Sequence, residues 1–270
     1  MENLIRVSAA LGIFLIMISW EYFSPRRTQA ISRKKRWPIN IGLALCNMLL
    51  MRVTLGGLAY LAAVHTAEQS WGLLNQLTLP LWATIAITLL VLDLAIYGQH
   101  VLSHKWQLLW RLHQVHHTDL EFDASTGVRF HPLEIMLSMA YKVLCIYLIG
   151  ANPVAVIAFE IILNATATFN HSNINIPLKI DALLRWVLIT PDTHRIHHST
   201  VPSETDSNYG FSISLWDRLF RTYQADPKKG QLALDIGLAA YRNQQELGFI
   251  KCLLLPFRPA LFHHNKNKKH

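Results

Sequence analysis

The chain has 270 residues, enough for one substantial domain, and no linker-like stretch divides it. Apolar residues make up 51% and charged residues 16%, well under the roughly 25% charge of soluble domains, which points to a membrane protein. The formal charge of +8 gathers in Ser24–Arg36 and in the terminal NKNKKH, and basic clusters beside apolar spans face cytoplasmic lipid headgroups, so nucleic acid is excluded as a partner.

The first element expected is an apolar helix over Leu4–Tyr22. It resembles a signal sequence but lacks a small-residue cleavage site, and six basic residues follow it at once, so it reads as a retained anchor. Further spans are expected over Ile39–Val64 and Leu77–Tyr97, since about 20 helical residues cross a bilayer core. The last apolar region, Leu133–Phe169, is broken by the turn signal GANP (Gly150–Pro153) and reads as a hairpin of two helices. The whole is expected to be an all-α integral membrane protein with about four transmembrane helices in two hairpins and a cytoplasmic helical cap.

Orientation follows from charge. The six Arg and Lys residues between the first two spans belong in the cytoplasm, whereas His65–Gln76 carries no Lys or Arg and belongs outside. That places every histidine cluster on the cytoplasmic side of a multi-pass membrane protein, the inner membrane if the source is bacterial. The C-terminal LGFIKCLLLPFRPALF is interrupted by Pro256 and Pro259 and reads as an interfacial helix. Cys46, Cys145 and Cys252 are scattered, with no metal-binding spacing, and no disulfide is expected. One domain over 1–270 is expected, with anchor spans in 1–92, a histidine-rich region in 93–257 and a basic tail in 258–270.

Ten of the fourteen histidines lie on the expected cytoplasmic face. HVLSH holds His100 and His104, HQVHH holds His113, His116 and His117, and HRIHH holds His194, His197 and His198. Residues three and four apart share a helical face, so each group can aim two or three imidazoles at one point. Two copies of His-x-x-His-His are hard to explain structurally, because every buried ring nitrogen needs a partner. A solvated pH-sensing face is the competing reading. Eight to ten imidazoles exceed what one ion holds, which implies two metals. Imidazole suits zinc, copper, iron and nickel alike; a zinc pair would serve hydrolysis, an iron pair beside lipid oxygen activation.

These boxes, in this order and joined to membrane spans, resemble the fatty acid hydroxylase and sterol desaturase superfamily. LWRLHQVHHT, GVRFHPLE, FNHSNI, TPDTHRIHHS and NYGFSISLWDRLFRTY extend the resemblance over roughly Asp93–Phe257. It implies that the eight box histidines ligate a non-haem di-iron centre, with His171 and His131 completing it; for His131, followed by Pro132 at a structural corner, a hydrogen bond to a ligand is the alternative. It further implies a lipid hydroxylase that uses O2 and electrons from a separate donor, such as a cytochrome b5-like protein or a ferredoxin with its reductase. Desaturation at the same site is the near alternative, and a histidine-rich metal transporter the distant one. Arg221 stands where relatives often carry glycine, which leaves that turn open.

Asp119, Asp123, Asp192, Asn170, Asn208 and Asp217 are candidates to hold the second ring nitrogens of ligand histidines. Asp93, seven residues before His100, is either functional or a helix-to-helix hydrogen bond. Arg111, Arg129 and Arg195 are expected to pair with these carboxylates or to meet an anionic redox partner. Trp106, Trp110 and Trp186 are expected to anchor helices at the headgroup level, and the NAT triplet at Asn164 is discounted because it lies in an apolar helix.

Overall fold

The computed structural model describes residues 2–54 and 57–258. The described residues form twelve α-helices and no strand. The long ones are α1 (Glu2–Phe23), α2 (Arg33–Thr54), α4 (Leu81–Lys105), α6 (Pro132–Ile149) and α7 (Pro153–Asn170). Short helices complete the order: α3 (Leu58–Glu68), α5 (Gln107–His117), α8 (Leu178–Leu184), α9 (Pro191–His197), α10 (Pro202–Thr205), α11 (Leu215–Leu219) and α12 (Phe249–Leu254).

Five stretches are long and apolar enough to cross a membrane: Ile5–Phe23, Arg33–Glu68, Leu81–Lys105, Pro132–Ile149 and Pro153–Asn170. By that measure the chain is a multi-pass membrane protein, with one stretch more than the four expected. The expected single span over 39–64 is interrupted, since α3 starts anew after Gly57, whose φ of 76° is left-handed. A helix cannot run through such a residue.

The GANP turn joins α6 to α7. Gly150 ends α6 at φ 68°, the Asn152 side chain caps α7 by accepting from Val154 N and Ala155 N, and Pro153 opens the helix. Gly72 approaches Gly150 so closely that a Cβ on Gly72 would stand 2.1 Å from Gly150 N. Ala59, Ala62 and Ala63 of α3 pack there against Ile146, Val156 and Phe159, small residues letting the helices approach.

The spans carry more charge than the sequence reading allowed, Asp93 aside. Lys142 of α6 donates to Glu160 of α7 at 2.9 Å, and Arg6 of α1 pairs with the same carboxylate. The basic cluster is also placed differently. Lys34 and Lys35 are exposed, but Arg26 pairs with Asp192 at 2.9 Å, Arg33 with Glu21 at 2.8 Å, and Arg36 with Asp119 and Asp123 at 2.6 and 2.7 Å. Buried carboxylates on α1, on α9 and in the loop after α5 draw these guanidinium groups inward, because an unpaired buried carboxylate costs far more than a surface cation gains.

The segment expected as an interfacial helix forms α12, which docks one face on the protein and leaves Ile250 and Leu254 exposed. Cys252 and Leu255 are buried against Leu43 and Val115; residues from 259 on, including most of the basic tail, lie outside the described residues.

Candidate metal centre

The C-terminal ends of α1, α4 and α7 and the N-terminal ends of α2 and α6 converge on one end of the bundle. There α5 and α9 lie across them, and the histidines meet. Nine are fully or almost fully buried and fall into two groups. His100, His104, His113, His117 and His197 form one; His116, His171, His194 and His198 form the other. Within each group one candidate ligand atom per ring lies within 4.8 Å of all the others.

The grouping cuts across the sequence motifs. In HQVHH, His113 and His117 enter the group of five while His116 enters the group of four; in HRIHH, His194 and His198 enter the group of four and His197 the group of five. Rings at i and i+4 stay together, and the remaining ring, about 100° away around the helix, serves the other group. Each His-x-x-His-His box therefore serves both groups, whereas HVLSH aims both of its rings at the group of five, as expected.

Ring orientation is set from outside. Nδ1 of His100 donates to Tyr209 O at 2.7 Å, that of His171 to Ala167 O at 2.7 Å, that of His197 to Ser207 O at 2.8 Å, and that of His113 to Glu134 Oε1 at 2.6 Å. These bonds commit the ring hydrogens and leave Nε2 lone pairs facing inward.

The inward nitrogens fit metal ions. His171 Nε2 lies 3.1 Å from Nε2 of both His116 and His194, and His113 Nε2 lies 3.2 Å from His117 Nε2. Ligands about 2.1 Å from a shared ion and at right angles to one another stand about 3 Å apart. Nε2 of His100, His104 and His197 and both nitrogens of His198 are buried without a partner, which is costly unless something accepts their lone pairs.

Burial pushes the His171 ring down to about 4 and the His197 ring to about 3. Burial, followed by the neighbouring rings, holds His116, His117, His194 and His198 well below the ordinary imidazole value. These six rings are neutral at pH 7, the state that can ligate.

His131 does not belong to the site, and its expected role as a ligand is corrected. Its Nδ1 accepts from Leu133 N at 3.1 Å, capping α6, and its Nε2 donates to Leu253 O at 3.1 Å. Pro132 at the start of α6 turns the residue toward this corner.

The amides and carboxylates expected beside the histidines act one step further out. Asp217 accepts from Tyr209 N and Gly210 N at 2.8 Å, holding the loop whose carbonyl orients His100. Asn208 bridges Thr193 O and Gln224 O, and Asn170 donates to Phe211 O. Burial alone would raise the Asp119 carboxyl, but Arg36 beside it holds it well below the usual range. Arg129 ties Val115 O, Thr118 and Asn40 together, and Arg195 pairs with Asp192; Arg111 instead donates to Arg258 O. Asp93 accepts from Trp216 Nε1 at 2.8 Å, joining α4 to the α11 segment.

Trp110, expected as an anchor, packs on the group of five, its ring 5.0 Å from His104 and 5.6 Å from His117. Arg221 adopts φ 60°, so the turn left open by the sequence forms with a side chain in the left-handed region. Sequence reasoning missed Glu134 and Arg36. A signal existed for the second: Arg36, Asn40, Leu43 and Asn47 are the buried residues of α2, and their spacing puts three polar groups on one face of an apolar helix.

A cavity of about 280 Å³ opens between α2, α4, α6 and α7. His100, His113 and Glu134 stand at its metal-site wall, with Ile96, Val128 and Leu163 among its apolar lining.

The sequence model of the fatty acid hydroxylase family matches residues 85–222. Among curated proteins, the ornithine lipid hydroxylase OlsE of Rhizobium tropici is 27% identical over 181 residues, covering 66% of this chain and 51% of the relative. The alkylglycerol monooxygenase of Xenopus tropicalis is 30% identical over 149 residues, 53% of this chain and 31% of the relative. Cholesterol 25-hydroxylase of Rattus norvegicus is 23% identical over 150 residues, 55% and 49% of the two chains. The chain thus spans about half the length of these relatives or less, and no solved structure matches it. The chain belongs to the fatty acid hydroxylase family, whose matched region holds every histidine of the two groups.

Proposed function

We propose that the protein is a membrane-bound di-iron oxygenase that hydroxylates a C–H bond of a lipid, using O2 and electrons from a separate donor. The observation that carries this reading is the pair of buried histidine groups, five rings and four, beside an apolar cavity. His100, His104, His113, His117 and His197 would hold one iron, and His116, His171, His194 and His198 the other. When bound, the irons supply O2 activation and hydrogen abstraction, chemistry that no side chain provides.

The chain's own residues position and insulate. Tyr209 O, Ala167 O, Ser207 O and Glu134 keep four rings in the ligating tautomer. The cavity takes an apolar chain against His100 and His113 and excludes water. All three relatives described above are named for adding hydroxyl to, or oxygenating, a lipid, which supports hydroxylation. Exposed Lys34 and Lys35 at the histidine end support a cytoplasmic orientation for it. The donor would be a cytochrome b5-like protein or a ferredoxin with its reductase.

The test combines metal analysis with lipid extracts from cells that express the protein or lack it. Two irons per chain and a lipid with one added oxygen are expected. A product lacking two hydrogens would make the enzyme a desaturase, and protein free of metal after iron-replete, anaerobic purification would reject the oxygenase.

A further inference from the structure

We propose that α8 with the following residues 185–189, and α11 with the preceding residues 211–214, form a wedge embedded in the bilayer leaflet on the histidine side, with lipid acyl chains as its partner. The inference rests on the multi-pass membrane reading and is independent of the di-iron assignment.

Local pairing makes these elements one unit. Leu188 bridges to Ile213, Ser214 N donates to Val187 O at 3.0 Å, and Ile189 N donates to Ser212 O at 3.1 Å. The Arg218 guanidinium lies over the rings of Trp186 and Tyr223 at 4.4 and 4.1 Å and donates to Arg185 O.

The unit lies along the spans as well as at their ends. Trp216 Nε1 reaches Asp93 at 2.8 Å, Phe220 stacks on Tyr97 at 5.4 Å, and Ser212 bonds Thr166 of α7 at 3.0 Å. Asp93 sits at the middle of α4, which at 1.5 Å per residue is about 18 Å from Lys105 at its histidine end. Its backbone is paired within the unit, as removal from water requires: Val187 N and Leu188 N donate to Leu184 O at 2.9 and 2.8 Å, and Phe220 N donates to Trp216 O at 2.8 Å.

Its outer surface is apolar where it faces away from the protein. Leu178, Leu183, Trp186, Val187, Leu219 and Phe220 are between 52% and 71% exposed. Exposed apolar side chains gathered on paired elements in this way mark a contact surface. Its edge carries exposed Lys179 and Arg221, whose long stems let the charge rise to anionic headgroups. The chemistry is that of a monotopic interfacial element. On its inner side Phe211 lines the cavity together with Ile96 and Leu163, so the unit borders both the leaflet and the cavity that would receive a lipid.

The test uses the full chain with Cys46→Ala and Cys145→Ala, reconstituted in phosphatidylcholine and phosphatidylglycerol vesicles. Spin labels are placed at Leu219→Cys and, as a second surface position, Leu183→Cys. Collision with O2 is compared with collision with a water-soluble nickel chelate. Leu90→Cys, exposed on α4, gives the lipid reference, and Lys229→Cys, at an exposed ion pair, gives the water reference. The O2-to-nickel ratio at both test positions is expected to match the Leu90 reference. A ratio like that of Lys229 at either position, or shielding from both reagents as at a protein interface, overturns the proposal; neither outcome touches the metal site.

Discussion

Replacing Glu134 by leucine isolates the contribution of a group that fixes the His113 ring from outside the two histidine groups. The carboxylate is 9% exposed and accepts the His113 Nδ1 proton at 2.6 Å. Leucine fills much of the same volume but leaves that N–H buried without an acceptor, at a cost of about 1–3 kcal/mol. The freed ring can then rotate or switch tautomer, and losing such a partner lowers metal affinity about 10–100-fold, or about 1.4–2.7 kcal/mol. Both effects can be read on purified protein: the thermal midpoint, and the iron retained against a graded chelator. Glu134→Gln keeps an acceptor oxygen and should lie between wild type and Glu134→Leu on both. Wild-type iron retention in Glu134→Leu would refute the reasoning, since His113 would then need no external partner.

Three further outcomes follow from the geometry. His116→Ala and His197→Ala each remove a ring from a different group, so each should abolish turnover and lower iron content; His131→Ala should keep its iron and lose the α6 cap and the bond to Leu253 O, about 2 kcal/mol in a melting experiment. Arg36→Leu leaves Asp119 and Asp123 buried without their cation, which should destabilise the fold by about 3–5 kcal/mol, measurable as loss of folded protein in detergent. The His171 and His197 rings titrate near 4 and 3 in the fold, against about 6.5 when unfolded. Between those values only the unfolded chain takes up protons, so metal-free protein should hold full stability above pH 6.5 and lose it as pH falls toward 4 and below; a melting midpoint flat from pH 7 to pH 4 would contradict this.

Local spacing was readable because helical periodicity is a property of the chain alone. His113 and His117, or His194 and His198, must share a face wherever their helix lies, and GANP must break a helix because Gly150 and Pro153 act on their own backbone. Apolar runs likewise announce spans, since the cost of an unsatisfied backbone in lipid does not depend on neighbours.

Partnership was not readable in this way. Whether His116 joins His113 or His171, whether Glu134 or Asp119 faces a ring, and whether Arg36 meets lipid or Asp123 depend on how α2, α5, α6 and α9 dock. These choices are made by burial. Once helices close around charged and imidazole groups, each must find an opposite charge, a carbonyl or a lone-pair acceptor nearby, and only the tertiary arrangement decides which is within reach.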